Sequence, residues 1–186
     1  SGNNKGEVYA HAKLFHNLDE SVYAVGGREI ESNIKEETTT QTSTKKTIPI
    51  QLYFKKYSSN KITKQFGNDN TISLMYNLND FKWSLLQEEK TISGLLCKKA
   101  VAKTKEREII AWYTEKLGVK GGPRKYDGLP GLIMYLENKY FIYRVIKIEK
   151  KLKKINLPLK DKNTRIVTEA LLKKGVTTTK TISNNK

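Results

Sequence analysis

The side chains best suited to covalent chemistry in this 186-residue chain are one cysteine and two histidines. A nucleophilic site needs a thiol or hydroxyl beside a base. Cys97 lies far along the chain from His11 and His16, and no local signature joins them. Cysteine is also among the residue types most often buried in protein cores. We therefore interpret Cys97 as a core residue and predict no catalytic residue.

The histidines and the paired carboxylates are not spaced for metal binding or acid–base catalysis. His11 and His16 are five residues apart, which places them on opposite faces of a strand and outside the i, i+4 spacing of a helical metal pair. Two ligands also do not complete a tetrahedral site. The adjacent acidic pairs at 36–37 and 88–89 point apart in an extended chain. We predict no metal, no cofactor and no enzymatic activity.

The positive charge of the chain is concentrated in its second half. The net charge is +16, and residues 1–97 hold 12 basic and 11 acidic side chains, whereas residues 98–186 hold 23 and 8. Such a field attracts anionic surfaces in general. Aromatic residues interleave with these lysines, but the pattern does not match the RNA-recognition signature. We interpret the lysines as a solvated sheet face and expect no nucleic-acid partner.

The elements that would position these residues are β-strands, because the dominant hydrophobic period is two. In "IPIQLYFKK" the residues on one side of the strand are Ile48, Ile50, Leu52 and Phe54, and in "FKWSL" the inward residues are Phe81, Trp83 and Leu85. A third strand is expected over 95–103, and further strands near 6–15, 20–25, 61–66, 71–77 and 131–137. Successive strands without long helical periods indicate an antiparallel sheet.

Two later segments, 107–115 and 139–148, are apolar on both faces. Such a strand is either central in the fold or lines a cavity. If the second face is open, the aromatic residues form a ligand groove, for which the candidates are Trp112, Tyr113, Tyr135, Phe141 and Tyr143. If loops and the C-terminal segment cover that face, there is no groove. Both alternatives remain open at this point.

We predict a single, mainly β domain over residues 1–186, with a curved antiparallel sheet or half-barrel and a short C-terminal helix that begins near Thr168 and ends at Gly175. Residues 32–46 are polar and threonine-rich, which favours a polar loop or an exposed hairpin, and residues 176–186 are expected to fray. No run approaches the ~20 apolar residues that cross a bilayer as a helix, so we expect no transmembrane segment.

The segment "YDGLPGLI" is typical of a rigid corner that leads into a buried strand. A glycine after aspartate can adopt positive φ, the residue before a proline is held extended, and a second glycine lets another backbone approach closely. We expect the proline in the trans form. The residues of this structural motif are Gly128, Leu129, Pro130, Gly131, Leu132 and Ile133.

The chain resembles the GLPGLI family through this motif and three others, "ISGLLCKKAVA" (92–102), "IIAWYTEKL" (109–117) and "GGPRKYDGLPGL" (121–132). The resemblance covers about Lys82 to Lys150, and the N-terminal third only loosely. Leu117-Gly118 stands where relatives usually have a proline, so we expect that loop to be shaped differently. The resemblance supplies no catalytic residues.

The resemblance implies an exported protein of Gram-negative bacteria, often encoded beside outer-membrane import machinery, with no activity established for the family. The opening "SGNNKGEVYA" has no export signal, and we expect that signal to have been removed.

We therefore predict a non-enzymatic periplasmic or cell-surface binding protein that holds an apolar ligand or peptide in a sheet groove. The alternative is an accessory protein that docks to an outer-membrane transport partner through its basic C-terminal half, around residues 147–174. The sequence identifies no particular ligand or partner.

Overall fold

The computed structural model describes residues 11–17, 19–26, 28–34, 42–48, 50–66, 72–105, 107–150 and 165–167, with the backbone alone for 28–34, 42–48 and 165–166. These ranges contain thirteen β-strands. They are β1 (Ala12–Asn17), β2 (Glu20–Val25), β3 (Arg28–Ile34), β4 (Thr42–Ile48), β5 (Gln51–Lys56), β6 (Lys61–Phe66), β7 (Ile72–Asn77), β8 (Trp83–Ile92), β9 (Leu95–Lys103), β10 (Glu108–Thr114), β11 (Leu132–Asn138), β12 (Ile142–Arg144) and β13 (Arg165–Val167).

The strands form two sheets and a separate hairpin. The first sheet has the order β1-β2-β5-β6-β7-β13, and the second has the order β12-β11-β10-β9-β8. All neighbours are antiparallel except β13, which pairs parallel to β7. The hairpin β3–β4 is inserted in the sequence between β2 and β5. Those two strands pair with each other in the first sheet. The described strands are thus divided between two sheets that do not close into a barrel, whereas the sequence predicted one curved sheet or half-barrel.

The predicted helix over 168–175 and the frayed tail lie outside the described residues. Among the residues that are described there is no helix, and therefore no long apolar helix of the kind that crosses a membrane. The threonine-rich segment 32–46 overlaps two strands that pair antiparallel from Arg28 opposite Ile48 to Ile34 opposite Thr42.

Alternation placed several strands correctly but assigned some of their faces wrongly. β2 and β6 match the predicted ranges residue for residue. β1 runs from Ala12 to Asn17, whereas the predicted range was 6–15, of which residues 6–10 lie outside the described part. In β5, however, the more buried side chains are Tyr53 and Lys55, whereas Ile50 is exposed. β4 ends at Ile48 and β5 begins at Gln51, so the predicted strand 48–56 is two strands with a break.

The edge position of β8 explains a second error. Leu85 was expected to point inward but is exposed. Within the described strands β8 pairs with β9 alone, and its register shifts between Leu85 and Glu89, which indicates a bulge. A bulged edge strand leaves side chains without a neighbour on one side, and this leaves the leucine in solvent.

The second sheet is covered on both faces at its centre. On one face, β10 contributes Ile109, Ala111 and Tyr113 to a core that the loop residue Leu129 also joins. On the other face, Trp112 packs with Cys97, Ile92, Leu132 and Met134. The alternative of a central, covered strand therefore holds for β10, whose apolar faces each have a packing partner.

A bulge in β11 distributes its side chains between those two faces. Trp112 pairs with Tyr135 and Tyr113 pairs with Ile133, so Met134 is the extra residue. The shift lets Met134 and Tyr135 join the Trp112 face, while Ile133 and Leu136 stay on the Tyr113 face. The C-terminal neighbour β12 spans only 142–144, and the longer strand predicted over 139–148 is wrong in its bounds. The chain turns at 138–141, where the Asn138 side-chain oxygen accepts from the Tyr140 and Phe141 amides at 2.8 and 3.3 Å.

Candidate functional site

A buried lysine joins the two sheets. Lys55 lies on β5 of the first sheet, and its side chain is 0% exposed. Its Nζ donates to Asp127 Oδ2 at 2.7 Å, to Gly122 O at 2.7 Å and to Tyr126 O at 3.4 Å, all in the loop before β11. The three donors of the ammonium thus meet three acceptors. Burial lowers the pKa of Lys55, and the charge and hydrogen bond of Asp127 oppose that shift.

The partner of this lysine is fixed by the glycine-proline corner. Asp127 is 3% exposed, and its Oδ1 accepts from the Gly128 amide at 2.8 Å. Its carbonyl oxygen accepts from Trp83 Nε1 at 2.8 Å. Gly128 has φ of +89°, in the left-handed region, and a Cβ there would lie 3.2 Å from Leu78 O. The corner is therefore attached to β5 and to β8.

The second glycine of the corner permits a close backbone contact. A Cβ at Gly131 would lie 2.2 Å from Thr114 O at the end of β10, which is far inside van der Waals contact. The Leu129–Pro130 bond is trans. Leu129, Leu132 and Ile133 are buried in the core. This motif packs against the strands of the second sheet and lines no open surface beyond the exposed Gly128 and Pro130.

Beside the ion pair is a small polar group formed by Ser21, Tyr57 and His16. The Tyr57 hydroxyl donates to Lys120 O at 3.0 Å, so the Ser21 hydroxyl, 3.0 Å away, donates to Tyr57. The His16 ring lies 5.6 Å from the Tyr57 ring, and its buried Nε2 has no hydrogen-bond partner. Burial lowers the pKa of His16, and a backbone hydrogen bond with Lys120 opposes this shift.

The structure does not bring the reactive residues together. Cys97 is fully buried among apolar side chains on the Trp112 face, and burial raises the pKa of its thiol. His11 is exposed at the start of β1, whereas His16 packs against Tyr57. In the part of the chain that is described, no group of three His, Cys, Asp or Glu residues is arranged to hold a metal.

The five aromatic residues predicted to share a groove lie on two faces of the second sheet. Trp112 and Tyr135 are on one face, where Lys90 Nζ lies 4.3 Å and 4.9 Å from their ring centroids. Tyr113, Phe141 and Tyr143 belong to the opposite face. Trp112 and Tyr113 are buried, while Tyr135, Phe141 and Tyr143 are half-buried. Ligand binding by any of them stays a prediction.

The richest group of partly exposed aromatic rings surrounds Arg124, which the sequence did not single out. Rings of the second sheet and its loops lie in a chain of contacts from Phe81 through Tyr126 to Phe141 and Tyr143, with centroid separations of 4.9, 6.4 and 5.3 Å. The Arg124 guanidinium carbon lies 5.9 Å from the ring centroids of Phe141 and Tyr143.

Two tyrosines of the first sheet extend this group. Tyr23 and Tyr53 on β2 and β5 are in edge contact at 6.1 Å. Burial raises the pKa of Tyr23, and raises the pKa of Tyr53 and Tyr143 to about 12, and the positive charge of Arg124 opposes the rise in all three. Arg124 thus interacts electrostatically with tyrosines of both sheets. We call this set the intersheet aromatic cluster, which consists of Tyr23, Tyr53, Arg124, Tyr126, Phe141 and Tyr143.

These features define a mainly β protein in which two sheets meet across a buried ion pair and an aromatic cluster with one arginine. A family model described as "Protein of unknown function (Porph_ging)" matches residues 87–135, a range that contains the Cys-Lys-Lys-Ala, Ala-Trp-Tyr-Thr and Gly-Leu-Pro-Gly-Leu-Ile motifs. No curated protein matches the chain.

Two crystal structures of PNGF-II, solved in different space groups, are similar to this fold. One has a TM-score of 0.57 and 16% identity over 92% of this chain, and the other has a TM-score of 0.56 and 20% identity over 90% of it. The chain spans 30% and 29% of the length of those two structures. At this identity the likeness concerns the fold alone. The match covers only one part of each PNGF-II chain.

Proposed function

We propose that the protein is a non-enzymatic periplasmic or cell-surface binding protein, and that it binds an apolar ligand or peptide at the exposed side of the intersheet aromatic cluster. The observation that supports this most is that Arg124, Phe141 and Tyr143 are partly exposed and that the polar ends of Arg124 and Tyr143 are unpaired among the described residues. All three side chains are half-buried, and among the described residues neither the Arg124 guanidinium nor the Tyr143 hydroxyl has a hydrogen-bond or ion-pair partner.

The chemistry of this surface suits a ligand with an apolar body. Aromatic side chains with a few convergent polar groups are the usual lining of a small-molecule site. Tyrosine presents a rigid ring with two rotatable bonds and a polar end, so little conformational entropy is lost on contact. Lys125 follows Arg124 in the chain, and its Nζ lies 5.2 Å from the ring centroid of Tyr76 on β7.

A neutral apolar probe tests this proposal. N-phenylnaphthylamine should gain fluorescence with the wild-type protein, and Tyr143→Ala or Phe141→Ala should reduce its affinity by about 10-fold, which corresponds to the loss of one buried aromatic contact. Tyr140→Ala is the matched control, because Tyr140 is an exposed aromatic residue of the same segment outside the cluster. Flat fluorescence with the wild-type protein, or equal loss in all three variants, would refute the proposed site.

The second candidate function is docking to an acidic surface of an outer-membrane transport partner. The position of β12 supports it, because β12 is the outermost strand of its sheet in the described part of the chain. The bonds Asn138 N to Phe141 O and Val145 N to Met134 O show which residues face β11, so the backbone groups of Ile142 and Arg144 point away from the sheet. Ile142 is 63% exposed and Ile146 is 73% exposed. Residues 139–150 hold four basic side chains and one acidic side chain.

Docking at this edge should depend on salt, because a basic strand that meets an acidic partner loses attraction as ions screen it. Crosslinking in outer-membrane extracts should capture a partner at low ionic strength and lose it at high ionic strength. Replacement of Ile142 by Pro should prevent capture, since proline cannot donate the outward-facing hydrogen bond. Capture that is indifferent to both changes would remove this candidate.

A further inference from the structure

Among the described residues, Arg124 is a cation with no carboxylate partner. Its Nε is buried and has no hydrogen-bond partner, and no ion pair to it exists among the described residues. A buried donor that stays unpaired destabilises the fold, and does so more strongly when it is charged. The flanking rings of Phe141 and Tyr143 supply a cation–π attraction, but they accept no hydrogen bond in the plane of the guanidinium.

The two acidic residues at 124–138 have other partners in the structure. Asp127, three residues along the chain, is paired with Lys55 and also accepts from the Gly128 amide. Glu137 accepts from the Tyr135 hydroxyl at 2.6 Å on the opposite face. The chain therefore supplies no carboxylate for Arg124 within the described residues, although it supplies one for the neighbouring buried lysine.

The backbone holds Arg124 in an unusual conformation. Its φ is +49°, in the left-handed region that side chains with a Cβ seldom adopt. A turn closed by the Tyr126 amide and the Pro123 carbonyl, 3.0 Å apart, contains the residue. Strain of this kind often marks a position where a side chain is presented for a purpose. Here it places a guanidinium against two rings.

We propose that Arg124 binds a carboxylate group of the ligand, while the planar apolar part of that ligand stacks on Phe141 and Tyr143. This inference rests on the proposed function and adds the class of ligand, an aromatic or apolar carboxylic acid. The guanidinium fork matches the two oxygens of a carboxylate and can donate two parallel hydrogen bonds. The Tyr143 hydroxyl is a further donor beside it, and Lys125 adds positive charge at the same turn.

A matched pair of probes tests the inference. Phenylacetate and phenylacetamide have the same ring and nearly the same shape, but only the first carries a charge. Titration followed by NMR shifts of the tyrosine and phenylalanine side chains should give an affinity for phenylacetate at least about 10-fold higher than for phenylacetamide, since a hydrogen bond to a charged group is worth about 1.5–3 kcal/mol.

Two variants locate the source of that preference. Arg124→Gln should remove the difference between the two probes and leave phenylacetamide binding within about 2-fold of wild type, whereas Arg124→Lys should keep part of it because a lysine is a point charge without the fork. Arg144→Gln is the control for general electrostatics, because Arg144 is exposed and opposite Tyr135 on the other face of the second sheet. It should keep the full preference.

The outcomes separate this inference from the proposed function. Equal wild-type affinity for the two probes would overturn the carboxylate assignment, and so would a preference that survives Arg124→Gln, while binding of the neutral probe would still support a ligand site. If neither probe binds and N-phenylnaphthylamine does not bind either, both fail together. The wild-type comparison needs no substitution, so a variant that does not fold leaves the test intact.

Discussion

Replacement of Lys55 by methionine should be among the most damaging single changes to this fold. Methionine keeps the length of the side chain but removes all three donors. Asp127 Oδ2, Gly122 O and Tyr126 O then lose their partner at once, and the 3% exposed carboxylate is left as an uncompensated buried charge. Removal of one member of a buried pair costs about 3–5 kcal/mol, out of a total stability of about 5–15 kcal/mol for a typical domain.

Urea denaturation followed by circular dichroism measures this loss, and for a chain of this size it corresponds to a fall in Tm of about 2–4 °C for each kcal/mol. The control is Lys56→Met. Lys56 is the next residue of β5, but it is 57% exposed and lies 4.0 Å from Glu20 in a surface pair, so its loss should change stability by less than about 0.5 kcal/mol.

The double variant Lys55→Met with Asp127→Asn tests whether the loss of stability comes from the unpaired, buried Asp127 carboxylate. Asparagine is neutral and can still accept from the Gly128 amide, so the double variant should be more stable than Lys55→Met alone, with a coupling energy of about 1–3 kcal/mol. If Lys55→Met lies within about 1 kcal/mol of wild type, or if the two substitutions are additive, the view that this pair joins the sheets is wrong.

Two further predictions concern the same region. Burial lowers the pKa of His16 from 6.5, so the unfolded chain accepts a proton at a higher pH than the native state does. The His16 contribution to the free energy of unfolding should be fully present above pH 6.5 and should be lost as the pH falls toward the native pKa. His16→Gln should flatten this pH dependence in urea titrations at several pH values. A slope that is unchanged in the variant would assign the effect to other groups. Gly131→Ala should destabilise the fold by about 3 kcal/mol or more, because its Cβ would lie 2.2 Å from Thr114 O, whereas Gly94→Ala, which meets no atom within 4 Å and has φ of +78°, should cost only about 1–2 kcal/mol of backbone strain. Equal losses in these two variants would contradict the close approach at the corner.

The local alternation of apolar and polar residues predicted several strands correctly, but it did not predict how the strands pair into sheets. Alternation over 20–25 and 61–66 predicts β2 and β6 because one face of each packs against a core and the other meets solvent. The division into two sheets depends on pairings between distant segments, such as Val167 beside Leu74, and no local pattern carries those.

The site residues were missed for a physical reason. A lysine on a strand is normally solvated, and the alternation in this strand favours Ile50, Leu52 and Phe54 as the apolar side. Only the spacing of Lys55 two residues after Tyr53, on the face that is buried, could have drawn attention to it. An arginine in a turn likewise suggests a solvated charge. The sequence around Arg124 does not show that the carboxylate of Asp127 is paired with Lys55.

The ion pair and the proposed ligand surface share one short segment, and this links stability to binding. Arg124, Tyr126 and Asp127 lie within four consecutive residues, and Lys55 bonds to two of them, to the Asp127 carboxylate and the Tyr126 carbonyl. Tyr126 in turn contacts Phe141 and Tyr143. Loss of Lys55 therefore frees the turn that holds the guanidinium, although Lys55 is fully buried and meets no ligand.

We expect Lys55→Met to weaken phenylacetate binding even at a temperature where the variant is folded, and to weaken it more than Lys56→Met does. Unchanged affinity in the folded variant would mean that the Arg124 turn is held by its own hydrogen bond and by the aromatic rings alone.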